Sequence, residues 1–425
     1  MTESKPGQVA LTRPCVKCRA QEATLDSRSQ PVCKDCFIKF ISTKFIKQID
    51  ILGKKTRPAP GPSSTSSSSG PPTLTRRYLL GLSFGVSSTV LLHLLSENLE
   101  SQLAKGRTAP FDLTVVHVDT SSFPSREGTD PEASVAAVEA ILDRYRARYP
   151  RFTFQRVPLS SSTLSNNNNN NNNSTPNPSD DIFSLLSSST TTTPPTAASQ
   201  SDLRQHLTRR TLLAETAHHN CQALLLGHST TALAELTLAE AAKGRGFALP
   251  WLVGDGPAPP PDSSSEPRES GLLIHHPLRE ALRKELVTYA GLVTDPSPLT
   301  DLLLEQTNDN PGSAEGTTRV VSHRDLSIED VMTRYFAEVE ESYPSVVANV
   351  ARTAGKLVRR GGDGGDEEAA TACELCGMPR DEDGDVRWKG ELGIQDNGEE
   401  EGDRESVAAR LRGRLCYGCE RSVGG

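Results

Sequence analysis

Eight of the nine cysteines fall into four pairs with two residues between partners: Cys15/Cys18, Cys33/Cys36, Cys373/Cys376 and Cys416/Cys419. That spacing lets both thiolates of one turn face a single tetrahedral metal, and two such turns close a structural zinc site. Fourteen residues separate the first two pairs, an ordinary zinc-finger span, and 39 separate the last two, which requires a loop between the halves. All eight are therefore candidate ligands of two structural zinc sites. Disulfides are the first alternative, but they need an oxidising compartment and nothing in the sequence points to one. Redox pairs are the second, and four pairs divided between opposite ends of the chain fit structure better. The ninth thiol, Cys221, reads as a core residue rather than a nucleophile, since free cysteine is so often buried.

A second place for chemistry is the turn Gly81-Leu82-Ser83-Phe84-Gly85-Val86-Ser87-Ser88. It follows a short apolar run and precedes a helical pattern. Small residues there let backbone N–H groups approach phosphate, and the helix start adds a positive end. Tight turns need glycine anyway, so the turn by itself is a weak pointer.

These groups must be held by elements legible as alternating strands and helices. Leu79–Leu82 reads as a buried strand, Val90–Leu103 as a helix, Phe111–Val118 as a β-branched strand, Glu132–Tyr149 as a helix and Phe152–Val157 as a strand. Farther on, Leu203–His218 reads as a helix, Ala223–Leu226 as a strand and Thr230–Lys243 as a helix. That alternation predicts a parallel sheet covered on both faces. Leu278–Tyr289 has an amphipathic helical pattern. Ser327, three residues before Asp330, is a cap ahead of Ile328, Val331, Met332, Tyr335, Phe336 and Val339 at helical spacing. Pro344 opens a further helix with Val347, Val350, Ala354 and Leu357 along one side.

Composition divides the 425 residues. Only 35% are hydrophobic and 5% aromatic, against 32 Gly and 29 Pro, so part of the chain cannot support a core. The stretch 56–73 is Pro/Ser-rich. The stretch 159–201 contains eight consecutive asparagines, Asn166 to Asn173, and is expected to be disordered. Residues 255–270 and 306–324 are further polar breaks. A net charge of −8 excludes a uniformly basic coat for nucleic acid but not a local basic face. From Arg13 to Arg57 there are eleven Lys and Arg against four Asp and Glu, whereas from Gly361 to Asp403 there are three against fifteen. A basic finger and an acidic tail suit a polyanion-binding end and a solvated or protein-facing end. The opening MTESKPGQ lacks a secretion-type pattern. Tyr78–Leu95 barely reaches spanning length and carries Gly, Ser, Thr and His, so a cytoplasmic protein with no membrane association is expected.

At the turn and at one later loop, the sequence resembles ATP-dependent tRNA-modifying enzymes whose pyrophosphatase loop (PP-loop) reads SGGxDS. Here it reads SFGVSS, with Phe84 at the first glycine and Ser87 at the aspartate. Their later GHNxDD-like motif is here Gly227-His228-Ser229-Thr230-Thr231-Ala232, with both acidic positions lost. The chain as a whole resembles the cytoplasmic tRNA 2-thiolation protein 2 family, the degenerate partner subunit of the wobble-uridine thiolase. The resemblance rests on CVKC…CKDCF, LLGLSFGVSSTVLLHLL, LLLGHSTTALAELTLAEAAKGRG, HPLREALRKEL, SIEDVMTRYF…YPSVVANVARTAGKL and CELCG…LCYGC.

The resemblance implies an α/β fold with a parallel-sheet, PP-loop core of the adenine nucleotide alpha hydrolase type, to which the cysteine spacing adds zinc-binding modules at both ends and the composition adds disordered insertions. The implied division is a basic zinc module over 1–55, a linker over 56–73, the two halves of the α/β domain over 74–158 and 202–254, and an insert over 159–201. A linker over 255–270, helical segments over 271–305 and 325–360 separated by a linker over 306–324, and an acidic zinc module over 361–425 complete it. It also implies a heterodimer with a catalytic thiolation subunit. That pair would place sulfur on the wobble uridine (5-methoxycarbonylmethyl-2-thiouridine) of cytosolic tRNA for Lys, Glu and Gln. Sulfur would arrive as a thiocarboxylate on a ubiquitin-like carrier. Adenylation of the uridine C2 oxygen needs carboxylates to hold magnesium–ATP. Ser87, Thr231 and Ala232 cannot supply them, and Phe84 puts bulk where triphosphate must approach. The chain is thus expected to be non-catalytic. ATP binding by it is doubtful, and Ser83, Gly85, Ser87 and Ser88 are the candidate contacts that remain.

Two rival readings stand beside this one, an independently active adenylating sulfurtransferase and a zinc-scaffold adaptor in a ubiquitin-like pathway. Lost carboxylates argue against the first and the strand–helix alternation against the second. For tRNA the candidate contacts are Lys34, Lys39, Lys44, Lys47, Lys243, Arg245, Arg352 and Lys356, whose value is collective because phosphate binding is salt-dependent and additive over cations.

Overall fold

In the computed structural model, residues 13–28, 30–57, 75–121, 131–159, 196–259, 271–303, 327–359, 372–380 and 414–424 are described. The asparagine run, most of the acidic stretch and the greater part of each polar break lie outside them.

The chain begins with a small antiparallel hairpin, β1 (Leu25–Ser27) and β2 (Gln30–Val32), followed by the long helix α1 (Lys34–Lys55). In α1, Phe37, Ile41, Phe45, Ile49 and Leu52 recur at three- and four-residue spacing and are buried as one stripe. The sheet is then built from β3 (Arg76–Gly81), β4 (Phe111–Asp119), β5 (Thr153–Pro158), β6 (Ala223–Leu225), β7 (Gly256–Pro257) and β8 (Leu273–His275), in the order β5-β4-β3-β6-β8-β7. Every pairing is parallel except that of β7 with β8. Parallel strands covered on both faces need near-continuous apolar runs, and Tyr78, Leu79 and Leu80 of the central β3 are all buried.

Two apolar layers cover the sheet. Tyr78, Leu80, Leu113, Val115 and Leu225 face α1, α2 (Val86–Ala104), α3 (Pro131–Arg148) and α7 (Arg283–Leu292). Leu79, Val116, Leu224 and Ile274 face α4 (Ala197–His218), α5 (Thr230–Ala242), α6 (Leu249–Leu252), α8 (Ile328–Ser342) and α9 (Pro344–Ala354). The C-terminal cysteines and α10 (Tyr417–Gly424) close the second layer. The α/β class and the parallel sheet expected from the sequence are what the chain adopts.

Several boundaries move. The insert assigned to 159–201 loses its ends: Leu159 is buried, and α4 begins at Ala197, its first turn capped by the Thr196 hydroxyl on the Ser199 N–H. The linker at 255–270 contributes β7, and the segment at 271–305 contributes β8 before any helix. The helix read as Leu278–Tyr289 begins only at Arg283, because residues 277–280 form a turn and Leu282 is the cap. Leu357 lies beyond α9 and is exposed. Among the described residues no helix is long and apolar enough to cross a membrane.

Candidate metal centres and a closed nucleotide loop

The two cysteine clusters are built alike. In the N-terminal one, the turn after Cys15 closes with Arg19 N–H donating to the Cys15 carbonyl at 2.9 Å, and Arg19 takes a left-handed φ of 57°. In the C-terminal one, Gly377 N–H donates to the Cys373 carbonyl at 2.8 Å with a φ of 70°. Each second pair opens a helix: Cys33 caps α1 and Cys36 lies in its first turn, while Cys416 precedes α10 and Cys419 lies within it. A helix start favours thiolates through its partial positive charge.

The four sulfurs of each set lie within 4.8 Å of one another. Two of the edges are 3.8 Å for Cys18–Cys33 and 3.9 Å for Cys376–Cys416. A tetrahedron with metal–sulfur bonds of about 2.3 Å has edges of about 3.8 Å. Four thiols at that spacing therefore fit one mononuclear ion, the set being compatible with zinc. Backbone N–H groups, that of Cys18 first, push the Cys15 thiol down to about 6, and contacts from Cys376, Cys416 and Cys419 push Cys373 down. Cys221 is apart from both, buried, with burial pushing its thiol up to about 11.

Both modules are fastened to the core by polar and ionic bonds. Arg28 grips Glu285 of α7 with two bonds of 2.8 and 3.1 Å and also donates to the Glu280 carbonyl. Lys44 donates to the same carbonyl, and Lys47 lies 3.5 Å from the Glu280 carboxylate. At the other end Arg210 donates to the Glu374 and Leu375 carbonyls, and Ser422 to Asp202. A Cβ on Gly418 would meet Arg245 Cγ at 2.5 Å, so α10 lies directly on that side chain.

Here the tRNA candidates need correction. Arg245 is fully buried, bonded to both Asp202 and Glu240. Lys243 is withdrawn with it, on Asp202, Glu240 and Glu329. Neither faces a ligand from outside; the Asp202 carboxylate, 41 and 43 residues away in sequence, outcompetes solvent for both. Lys44 is half-buried, its burial lowering the ammonium to about 8. Lys34, Lys39, Lys47, Arg352 and Lys356 remain exposed. Asp202, His206 and Glu240 are near enough to hold a metal, but the two internal cations already occupy that role.

The nucleotide-type loop lies where the sheet order reverses, between the ends of β3 and β6, the usual ligand crevice of an open α/β sheet. Its polar groups are bonded to one another. Ser88 Oγ donates to the Gly85 carbonyl at 3.0 Å, stands 3.1 Å from Ser83 Oγ and accepts from Ser83 N–H. Gly85 N–H reaches Ser83 Oγ at 3.4 Å. Gly227 closes the crevice from the β6 side, since a Cβ there would stand 2.9 Å from Ser88 Cα. Phe84 keeps a left-handed φ of 60°, the conformation a glycine would supply, and turns its ring inward onto His117 at 4.0 Å and Tyr145 at 5.6 Å. That backbone costs about 1–2 kcal/mol. Burying the ring returns about 1.5–3 kcal/mol, so packing wins.

The position of a lost carboxylate is also reused. Thr231 donates to Glu340 of α8 at 2.9 Å and accepts the Arg283 N–H at 2.9 Å. Asp119, at the end of β4, is held by Arg156 at 2.6 Å and by Ser121 N–H. Burial raises its pKa, but these bonds outweigh it and keep the carboxyl below its ordinary value. Sequence reasoning misses Glu340, Asp119 and Asp202, which carry no local signal. It also misses Gly227 as a packing glycine, which a GH dipeptide directly after a strand could suggest.

A doubly wound α/β framework of the nucleotide-binding type, with a closed loop and a four-cysteine centre at each end, is thus the class the fold and site define. Against known proteins, a family model described as "Cytoplasmic tRNA 2-thiolation protein 2" matches residues 327–421. Proteins of that name from Phaeosphaeria nodorum and Pyrenophora tritici-repentis are 33% and 32% identical. The alignments cover 99% and 97% of this chain and 97% and 95% of theirs. The chain belongs to the cytoplasmic tRNA 2-thiolation protein 2 family. Among solved structures, the U34-tRNA thiolase NcsA from Methanococcus maripaludis, with its [4Fe-4S] cluster, is 15% identical with a TM-score of 0.48, covering 90% of this chain and 98% of that one.

Proposed function

We propose that this chain is the non-catalytic subunit of a two-chain tRNA thiolase in the cytoplasm. It is needed for 2-thiolation of the wobble uridine in tRNA for Lys, Glu and Gln, and the sulfur comes from a thiocarboxylated ubiquitin-like carrier. The observation that carries the reading is the closed loop in a chain of this family: Ser83, Gly85 and Ser88 bond to one another, and the Phe84 ring packs inward on His117 and Tyr145. Thr231 is spent on holding α7 and α8. A subunit so built supplies surface, not adenylation. An apolar stripe left exposed on α8, Ile328, Val331 and Tyr335 at 37%, 43% and 48% exposure, supports a protein partner. The two four-cysteine centres are proposed to hold zinc, with a structural role.

Deletion of the gene, followed by mass analysis of tRNA nucleosides, tests the reading. The expected result is loss of the 2-thio group with the side chain at position 5 intact. Unchanged thiolation in the deletion strain overturns it. So does release of AMP and thiolation of uridine by the purified chain without a partner.

A further inference from the structure

The end of the sheet opposite the closed loop carries a groove of about 810 Å³ between the C-terminal halves of α1 and α2. Arg76 and Phe111, the first residues of β3 and β4, form its end wall. Five cations line it, Lys54, Arg57, Arg76, Lys105 and Arg107, against two carboxylates, Asp50 and Glu97.

Part of this charge has a local explanation. The groove holds the C-terminal ends of two helices, and each such end presents about half a negative charge that lysines complement. Two ends and two carboxylates account for about three of the five cations, which leaves a surplus of about two. The surplus is not neutralised among the described residues. No acidic side chain there pairs with Lys54, Arg57, Lys105 or Arg107, all exposed, and Arg107 reaches only the neutral Gln102 amide. Arg76 has a buried Nε with no partner, and its one bond, to the Pro110 carbonyl, is long at 3.5 Å. The contrast with the middle of α1 is sharp: Lys44 and Lys47 are engaged by Glu280, whereas the cations farther along the helix are not.

We infer that this groove is a phosphodiester-binding channel that seats RNA at the end of the sheet away from the degenerate loop. Unpaired cations in a concave track with a partnerless guanidinium nitrogen suit a chain of phosphates, each contact releasing a counterion. The assignment rests on the tRNA reading above. It places the contact on Lys54, Arg57, Arg76, Lys105 and Arg107 instead of on the finger lysines Lys34 and Lys39.

The test uses the full chain and bulk tRNA in filter binding between about 50 and 300 mM salt, chosen because phosphate contacts are read from the salt slope. The variant Lys54→Ala/Arg57→Ala/Lys105→Ala/Arg107→Ala is expected to bind at least about tenfold more weakly at about 0.15 M salt and to flatten the log–log slope by about three. Lys54→Arg/Lys105→Arg keeps charge and should bind as the parent does. All these changes are on exposed side chains, so thermal unfolding should coincide with the parent's. Parental affinity and slope in the fourfold variant overturn the channel. So does absence of tRNA retention by the parent, or equal losses of heparin and tRNA binding when only Lys34 and Lys39 are neutralised. Gene deletion separates the channel from the reading it rests on. If the fourfold variant binds like the parent while deletion abolishes thiolation, the channel falls and the subunit role stands. If deletion leaves thiolation intact, the subunit role falls.

Discussion

At the scale of single residues, Phe84 keeps the left-handed turn that a glycine would supply and buries its side chain. Its ring is packed inward on His117 and Tyr145. Phe84→Gly relaxes a backbone cost of about 1–2 kcal/mol but empties a buried site worth about 3–5 kcal/mol. The net expectation is a protein roughly 2 kcal/mol less stable in urea unfolding, with no gain of ATP turnover, because Ser87 and Thr231 still offer no carboxylate. A measurable ATPase in that variant would contradict the closed-loop account. His93 makes a second case. Burial, with a lesser push from Arg148, lowers it to about 4, against 6.5 when unperturbed. Its folded pKa is depressed, so its stabilisation is complete above pH 6.5 and drains away as pH falls from there through about 4. Stability at pH 5 should be on the order of 1–2 kcal/mol below that at pH 7 from this group, and His93→Phe should flatten that part of the profile.

Helices and strands are legible in the sequence to the extent that their own residues decide them. β3 and β6 announce themselves as apolar runs, β4 by its β-branched content, and α8 by its cap. Ser327 accepts the Asp330 N–H at 3.1 Å while the Asp330 carboxylate returns to the Ser327 N–H, the reciprocal box that the spacing predicts. Ser327→Ala should cost about 1 kcal/mol in denaturant unfolding, and Ser327→Asp should recover most of it. β7 and β8, two and three residues long, are not legible, because pairing within the sheet and not local pattern makes them strands. The start of α7 escapes for a related reason. Leu278 and Ala281 are buried as a helical face would be, yet the Ala281 N–H closes a turn on Leu278 instead. The stripe of α1 is in plain view as Phe37, Ile41, Phe45 and Ile49, but a zinc-module reading of 1–55 draws attention to the cysteines alone.

For the molecule as a whole, the cysteines are readable and their anchorage is not. Spacing within a CxxC is local, whereas Arg245 meets Asp202 across 43 residues. That buried network binds α4, α5 and α10 into one body. Burial raises the Asp202 pKa, but His206 and Arg245 more than offset it, and the carboxyl is held well below its ordinary range. Arg245→Ala should therefore destabilise by about 3–5 kcal/mol, leaving buried carboxylates unpaired, whereas the exposed Arg352→Ala should change stability by less than about 0.5 kcal/mol. Removing metal should act on the same body. Two zinc ions per chain are expected by elemental analysis, and a chelator should lower the urea midpoint, more steeply in Gly418→Ala, whose Cβ would press on Arg245. A chelator without effect on unfolding would remove the structural role from both centres.

The grip of Arg28 on Glu285 spans 257 positions of sequence. On a ribosome adding about 5–20 residues each second, the first cysteine turns emerge roughly 10–50 s before their carboxylate anchor exists. During that interval the opening segment must close around its ion unaided, or be shielded by a chaperone, with the stripe of α1 bare to the cytosol. A stalled nascent chain ending before residue 285 should thus be far easier prey for a protease in α1 than the finished polypeptide.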